Sequence, residues 1–461
     1  MKKYIFKCKL LSDIVLFANT ATEGVQDTLD FIPGSNFLGI VAKNYNNFTD
    51  SYAVFHSGKV RFGDAHISKN GERSLKSPLG WFVPKDEELS KPYIFHSLDQ
   101  EMKKKLIKEG KQLKQVRSGW FQKDGLILDI ESDFAIKSAH DRDNRRSKDG
   151  MMYGYNSIKS GTEWMFVLNI ESSIDQKDEE LILSSLTGIK HLGKSRSAQY
   201  GLVEIEKINI EPSSLSTAEL QQDKFLIVYA ESRLAFFNDL GQPEMRPGAK
   251  HFNLPTGYIL RWDKSQVKSQ VFSPFNGKNN HHEADRICFN KGSVFVFEKV
   301  GSEDLEIEKI ATGIGDYLNE GFGNVIVNPA FLKSDLSGFS DLILKKYNSR
   351  EKNSINGAVA KHEESDNVIQ EWISHQKHIA KMENDIYENV VKFVKSNKRR
   401  FSNITSSQWG QIRSIASVSD GIDSLIDKLF RVAQGNRSQD RSGSGFLEHG
   451  KSAEKWRECK D

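Results

Sequence analysis

GKSRSAQYG at Gly193–Gly201 and GIGDYLNEGFGNV at Gly313–Val325 are two glycine-rich stretches of this chain, each followed by a short strand-like segment. Around the first, an apolar run at Trp164–Ile170 leads through a helical segment near Leu181–Leu186. After the loop, Leu202–Ile210 sets Val203 and Ile205 against Glu204 and Glu206, an alternation that predicts a half-buried strand. The order recurs around the second stretch: Ser293–Phe297 reads as a strand, Leu305–Ile310 as a short connecting element, and Asn324–Val327 as the returning strand. One supersecondary unit used twice accounts for both. Tyr4, Phe6, Cys8 and Leu10 alternate with Lys7 and Lys9 and predict the strand that opens the first copy.

Glycines at this density permit positive φ and close backbone approach, and successive exposed amides in such a loop form a concave anion site. In the first loop Lys194 and Arg196 add charge, Ser195 and Ser197 add hydroxyls, and Tyr200 offers a stacking face between Gly193 and Gly201. The second loop, with Gly313, Gly315, Gly321, Phe322 and Gly323, carries Asp316 and Glu320, so its case rests on backbone. Taken singly, either loop reads equally well as a tight turn that needs glycine and nothing more.

Further stretches carry a family resemblance: IPGSNFLG at Ile32–Gly39, VRFGDAH at Val60–His66, HDRDNRRSKDGMMYG from His140, and the second glycine loop. In this ordered set the chain is similar to the RAMP superfamily of CRISPR effector proteins. SSQWGQIR at Ser406–Arg413 resembles the C-terminal region of the large RAMP subunit of type III-D systems, which is thought to cap the handle of the guide. The resemblance implies an α+β chain: two ferredoxin-like (RRM-like) units, at 1–212 with insertions and at 213–340, then a polar linker and mainly helical region at 341–461. It implies an RNA-binding subunit that holds the crRNA 5′ handle and assembles with a large signalling subunit, backbone RAMP subunits and a small helical subunit, meeting target RNA indirectly. Carried onto this sequence, RNA contacts fall at Gly34, Ser35, His140, Arg142, Arg145, Arg146, both glycine loops, Ser407, Gln408, Trp409 and Arg413.

The residues themselves give a compatible but blander account. Ser35 is a credible N-cap for a helix running to about Lys43, where a helix N-terminus favours anions, and Val60–His66 alternates enough to predict a strand with Asp64 and His66 near its end. The run from His140 to Gly150 mixes Arg142, Arg145, Arg146 and Lys148 with Asp141, Asp143 and Asp149 and has no apolar residue until Met151; it predicts a protruding loop. Ser349–Asn367 is polar, and beyond it apolar residues recur at helical spacing from Val368 to Phe393 and from Ile422 to Val432. The tail faces then pack on one another or on the second unit, with docking onto a partner subunit as the sharper alternative.

Composition narrows the classes. A formal charge of +3 over 461 residues confines any polyanion site to a local patch. Cys8, Cys288 and Cys459 are too scattered for a disulfide framework or a zinc site, which suits a reducing, cytoplasmic setting. The N-terminus looks superficially like a signal peptide, but Lys7, Lys9 and Asp13 interrupt it, and no segment approaches a membrane span. Neither a P-loop nor a zincin motif is present, and no metal or cofactor is expected. His281, His282, Glu283 and Asp285 form a polar cluster better read as a surface loop than as a metal site.

The reading is noncatalytic. Its enzymatic alternative is a RAMP ribonuclease, either a target-cutting backbone subunit using Asp27 or Asp30, or a repeat-processing endonuclease using His56, His66 or His140 as general acid or base. A second alternative is a scaffold in which the loops bind no RNA.

Overall fold

In the computed structural model the alternating N-terminal residues form β1 (Lys2–Leu10), with Phe6, Cys8 and Leu10 buried on one face. The structure describes residues 1–16, 25–26, 28–85, 91–141, 146–196, 199–209, 224–277, 279, 281–301, 305–306, 309–310, 312–333, 344–346, 378, 381–382, 385–397, 399–401 and 404–430. Asp27, Arg142, Arg145, Ser197 and the polar stretch 349–367 lie outside them, as do the side chains of His140 and Arg146. Contacts divide the chain into Met1–Tyr347 and Asn348–Asp461.

Chain order in the first half runs from β1 to α1 (Gly34–Val41), β2 (Val60–Phe62) and β3 (His66–Lys69). An insertion follows with β4 (Trp81–Pro84), β5 (Tyr93–Ile94), α2 (Gln100–Lys108) and β6 (Leu113–Gln115). A long hairpin of β7 (Ser132–Asp141) and β8 (Arg146–Ile158) comes next, then β9 (Glu163–Ile170), α3 (Gln176–Leu186), β10 (Gly188–His191) and β11 (Leu202–Ile208). The main sheet runs β10-β11-β1-β9, with β2 and β3 both pairing antiparallel to β9. Counting β2 and β3 as one broken strand, the order is fourth, first, third, second, with α1 and α3 between the strands as in a ferredoxin-like unit.

The core lies where the sheet meets these helices. Phe37 of α1 stacks on Phe166 of β9 at 3.8 Å, and Phe6 stacks on Phe166 at 5.1 Å. Ile182 and Leu186 of α3 close the same cluster. Fully burying each such side chain contributes about 1.5–3 kcal/mol.

The second half repeats the order with β12 (Phe225–Ala230), β13 (Tyr258–Leu260), β14 (Val294–Lys299) and β15 (Val325–Val327) in a sheet β13-β14-β12-β15, all antiparallel. Between β12 and β13 it has a single turn of 3-10 helix at Ala249–Phe252. Its inner face packs on the insertion: Leu75, Trp81, Phe121 and Ile127 share one cluster with Ile227, Tyr229, Val294 and Phe331. The insertion at 75–128 thus belongs by packing to the second sheet. No sequence signal near residue 212 announces that.

Three sequence expectations need correction. The cap of α1 is Pro33 with no side-chain bond, and Ser35 sits inside the first turn. Val60–His66 is not one strand; it ends at Phe62, and the backbone bends through Gly63–Ala65 before His66 restarts it. The His140 region is not a plain loop. Residues 132–141 and 146–158 are paired strands with a bulge between Ser138 and His140, because backbone ladder bonds hold together even a segment rich in charge.

In the C-terminal unit, 385–397 is helical, followed by α4 (Ser406–Ser417) and α5 (Ile422–Phe430). Ile404, Ile415 and Leu429 form a small core there. Among the described residues no helix is long and apolar enough to cross a membrane.

Candidate nucleic-acid interface

The two glycine loops are built bond for bond alike. Leu192 donates its amide to the Gly201 carbonyl at 2.8 Å, and Ile314 donates to Gly323 at 3.0 Å. Each loop is then stapled to the segment after the first strand of its own half: Lys194 donates to Val15 and Asp316 to Ala235, both at 3.0 Å. Gly201 donates to the Asp13 carbonyl at 2.7 Å and Gly323 to that of Arg233 at 3.0 Å. The amides of Leu202 and Asn324 donate to Ser12 Oγ and Ser232 Oγ, each at 2.8 Å. Ser195 and Tyr317 occupy matching positive-φ positions, at 54° and 59°. A Cβ at Gly193 would collide with the Val15 carbonyl oxygen, and one at Gly315 with that of Ala235. These glycines therefore serve close backbone approach in both halves.

The equivalence extends to the hairpins. Ile14 bridges Ile158 at the base of β7–β8, and Leu234 bridges Phe289 at the base of the hairpin 269–289. His281 and His282 are on the distal strand of that second hairpin. Glu283 pairs with Arg286 at 3.0 Å and Asp285 accepts from Ser273, and among the described residues no His/Cys/Asp/Glu group could hold a metal ion.

Around this shared frame the side chains diverge. Beside the first loop stand Lys43, Lys190, His191 and Arg196, from the 3-10 turn Ala42–Asn47 that follows α1, from β10 and from the loop itself. Lys43 and Arg196 are exposed, while Lys190 and His191 are half-buried. Lost hydration lowers the Lys43 pKa, and Arg196 lowers it further; Lys190 is lowered by lost hydration and then by Lys43. The same causes, burial first and then Lys43 and Arg196, bring His191 down to about 4. Its Nε2 is buried without a hydrogen-bond partner among the described residues. Among the described residues no carboxylate forms an ion pair with Lys43, Lys190 or Arg196, and the amides of Ser195 and Arg196 find no internal acceptor. Lys194 lies over the Tyr155 ring at 5.7 Å, and burial lowers its pKa. Cations that repel one another beside open amides are the chemistry by which proteins bind anions.

The second loop is closed by its own chain. Asp64, 1% exposed, accepts from the Gly34 amide at 2.7 Å through Oδ1 and pairs with Lys291 Nζ at 2.5 Å through Oδ2, with Arg233 at 3.9 Å. Its carboxylate therefore occupies the α1 N-terminus. A Cβ at Gly321 would meet Asp64 Oδ1 at 2.8 Å and Phe62 O at 2.7 Å. Arg233 lies over Phe322, Phe272 and Phe31 at 4.3, 4.7 and 5.1 Å. Arg286 binds both oxygens of Glu320 at 2.9 Å and covers Tyr317 at 4.0 Å. Asn319 donates to the Phe55 carbonyl at 2.8 Å, and Gly313 lies against Arg61. Burial raises the Asp316 carboxyl. Burial also lowers Lys291 to about 8, while the adjacent Asp64 opposes that shift.

The sequence-derived site residues thus separate. Arg196 and Ser195 join the cationic face. Tyr200 and Phe322, at 4% and 2% exposed, occupy matching core positions and present no stacking face to a base. Asp30 is ion-paired to Lys76, and His56 is exposed beside Tyr45. His66 is fully buried, flanked by Arg73 and Lys291 at 3.2 Å and with Nδ1 3.0 Å from the Ser74 carbonyl; burial and then Arg73 hold its pKa well below the ordinary value. With Nε2 facing two donors, Nδ1 carries the proton, and the ring is buried from solvent. In the C-terminal unit Gln408 and Thr405 cap α4 reciprocally, Trp409 is 40% exposed and edges Phe401 at 5.5 Å, and Ser407 and Arg413 are exposed. Lys43, Lys190 and His191 escaped sequence reasoning: they lie up to 148 residues apart and meet only because β10 flanks the sheet edge beside α1.

No family model matches the sequence, and no curated protein is detectably similar to it. Among solved structures, the chain is similar to a chain of a type III-B Cmr-beta complex bound to cognate target RNA and AMPPnP, at 14% identity and TM-score 0.39 over 64% of this chain and 86% of that one. A chain of the Csm3-Csm4 subcomplex of the type III-A CRISPR-Cas interference complex matches at 12% identity and TM-score 0.35, covering 70% and 98%. A RAMP protein binding different RNA substrates matches at 11% and 0.29, covering 70% and 98%. Likenesses this distant carry no functional argument.

Proposed function

We propose that this chain is a noncatalytic RNA-binding subunit of a type III CRISPR interference complex, holding the crRNA 5′ handle and nucleating assembly with the large signalling subunit and the backbone subunits. The observation that carries the RNA contact is the cationic face of the first glycine loop, where Lys43, Lys190 and Arg196 gather around His191 with no carboxylate ion-paired to them among the described residues. A phosphate placed there relieves mutual repulsion among the cations and accepts from the Ser195 and Arg196 amides, a sequence-independent grip that positions RNA. The motif resemblance supplies the identity of the RNA and of the partner subunits.

Mechanistically the chain positions and does not cut. The burial of His66 in the core and the ion pair of Asp30 with Lys76 support positioning over cutting. Incubating the purified chain with repeat RNA tests the reading: a mobility shift without cleavage products is expected. Product bands would establish the ribonuclease alternative, and absence of a shift the scaffold alternative.

A further inference from the structure

Outside both glycine loops, the segment Asp99–Arg117 holds seven Lys and Arg against three Asp and Glu, a formal +4 in a chain whose total is +3. Folding concentrates that charge. Asp99 is spent as the N-cap of α2, accepting from the Met102 amide at 2.6 Å, and Glu101 sits in the first turn, where the helix dipole favours it. Lys105 and Lys108 lie in the last turn, again matching the dipole. The helix then stops in a Schellman turn: Gly110 at φ 69° donates to Ile107 at 3.0 Å, and Lys111 donates to Leu106 at 2.9 Å. That turn folds the chain straight back into β6, which pairs with β4 and leaves Lys114 exposed.

Lys103, Lys104, Lys105, Lys108, Lys111, Lys114 and Arg117 are all exposed, and among the described residues none is ion-paired to a carboxylate. Lys103 lies over Phe95 at 5.1 Å and Arg117 donates to Gln115 at 3.2 Å, so two of the seven are held in place by neutral groups. Lys104 and Lys108 are one turn apart on α2, where like charges disfavour the helix. A fold that tolerates this repulsion is relieved by a polyanion.

We infer that α2, its Schellman turn and β6 form a second polyanion-binding surface, which takes the sugar-phosphate backbone of RNA without reading its sequence. Lysines dominate the patch, and lysine is a flexible point charge that binds phosphate without the fork that reads a base edge. A membrane surface fits less well, because the exposed Met102 and Ile107 are five residues apart and form no apolar stripe for insertion. The inference is independent of the first loop. It places charge on a lobe packed against the second sheet, whereas the first loop belongs to the first.

The test compares the full chain with Lys104→Gln/Lys108→Gln/Lys111→Gln, using a labelled oligouridylate and its duplex with oligoadenylate as probes. Loss of three phosphate contacts flattens the slope of log affinity against log salt by roughly 2 for the single strand. A control, Lys224→Gln/Lys250→Gln/Lys309→Gln, removes equal charge from exposed lysines that are ion-paired elsewhere and leaves the slope unchanged. An unaltered slope in the lobe variant overturns the proposal, as does an equal loss in the control, which would report the overall field. Loss of binding to phosphatidylserine vesicles with RNA binding intact also overturns it, in favour of a membrane surface. Combining the lobe variant with Arg196→Gln separates the two sites: additive losses support both, and a loss confined to one substitution set leaves that site alone standing.

Discussion

The first and second glycine loops share their backbone hydrogen bonds, their positive-φ residue and their buried aromatic, yet they face opposite electrostatic surroundings. Where the first half has Asp13 accepting from the Ser160 amide at 2.9 Å, the equivalent positions of the second half are Arg233 and Lys291, two buried cations that converge on Asp64 of the first half. Where the first loop carries Lys194 and Arg196, the second has Asp316 and Leu318. The glycine pattern therefore specifies a construction, a loop stapled to the segment after the first strand of its half, and says nothing about a ligand. In one half the construction leaves a cationic face open. In the other it is the joint that locks the two halves together.

The comparison breaks most sharply at Asp64. Asp64→Ala strands Lys291, Arg233 and the Gly34 amide in a site that water does not reach, and removing one partner of a buried ion pair costs about 3–5 kcal/mol. The expected result is a large fall in melting temperature. A variant that melts like the parent would show that the second loop is not the joint.

A smaller effect sharpens the first loop. His191 is held neutral, at about 4, by burial and by Lys43 and Arg196. Alone, such a histidine destabilises the fold as pH drops from about 6.5 toward 4, since the unfolded chain takes up the proton first. A bound phosphate cancels the neighbouring charges and lets His191 protonate closer to its ordinary range, so RNA affinity rises as pH falls. From pH 7 to about 5.5 the gain stays below roughly tenfold, because burial, the larger cause of the depression, persists when the charges are cancelled. His191→Gln removes the dependence; a pH profile unchanged by this substitution would place the RNA elsewhere.

Much of the architecture was legible in sequence because it rests on local pattern. Alternation at Tyr4–Leu10 marked β1, and the paired glycine loops marked the duplication that both sheets display. The hairpins were not legible as equivalents, since 132–158 and 269–289 share their ladder contacts and not their residues. Nor was the fate of Tyr200: an aromatic beside glycines reads as a stacking platform until topology places it, like Phe322, in the core. The cationic face depends on Lys43 and Lys190 meeting across a sheet edge, and α2 sits in an insertion whose packing partner lies 100 residues further along.

The most direct test of the difference between the loops is the salt dependence of RNA binding. Lys43→Gln/Lys190→Gln/Arg196→Gln at the first loop should flatten the slope of log affinity against log salt by roughly 2 for single-stranded RNA, while Asp316→Asn at the second leaves it unchanged. A triple variant that melts normally and keeps the parental slope would contradict the assignment of phosphate binding to the first loop.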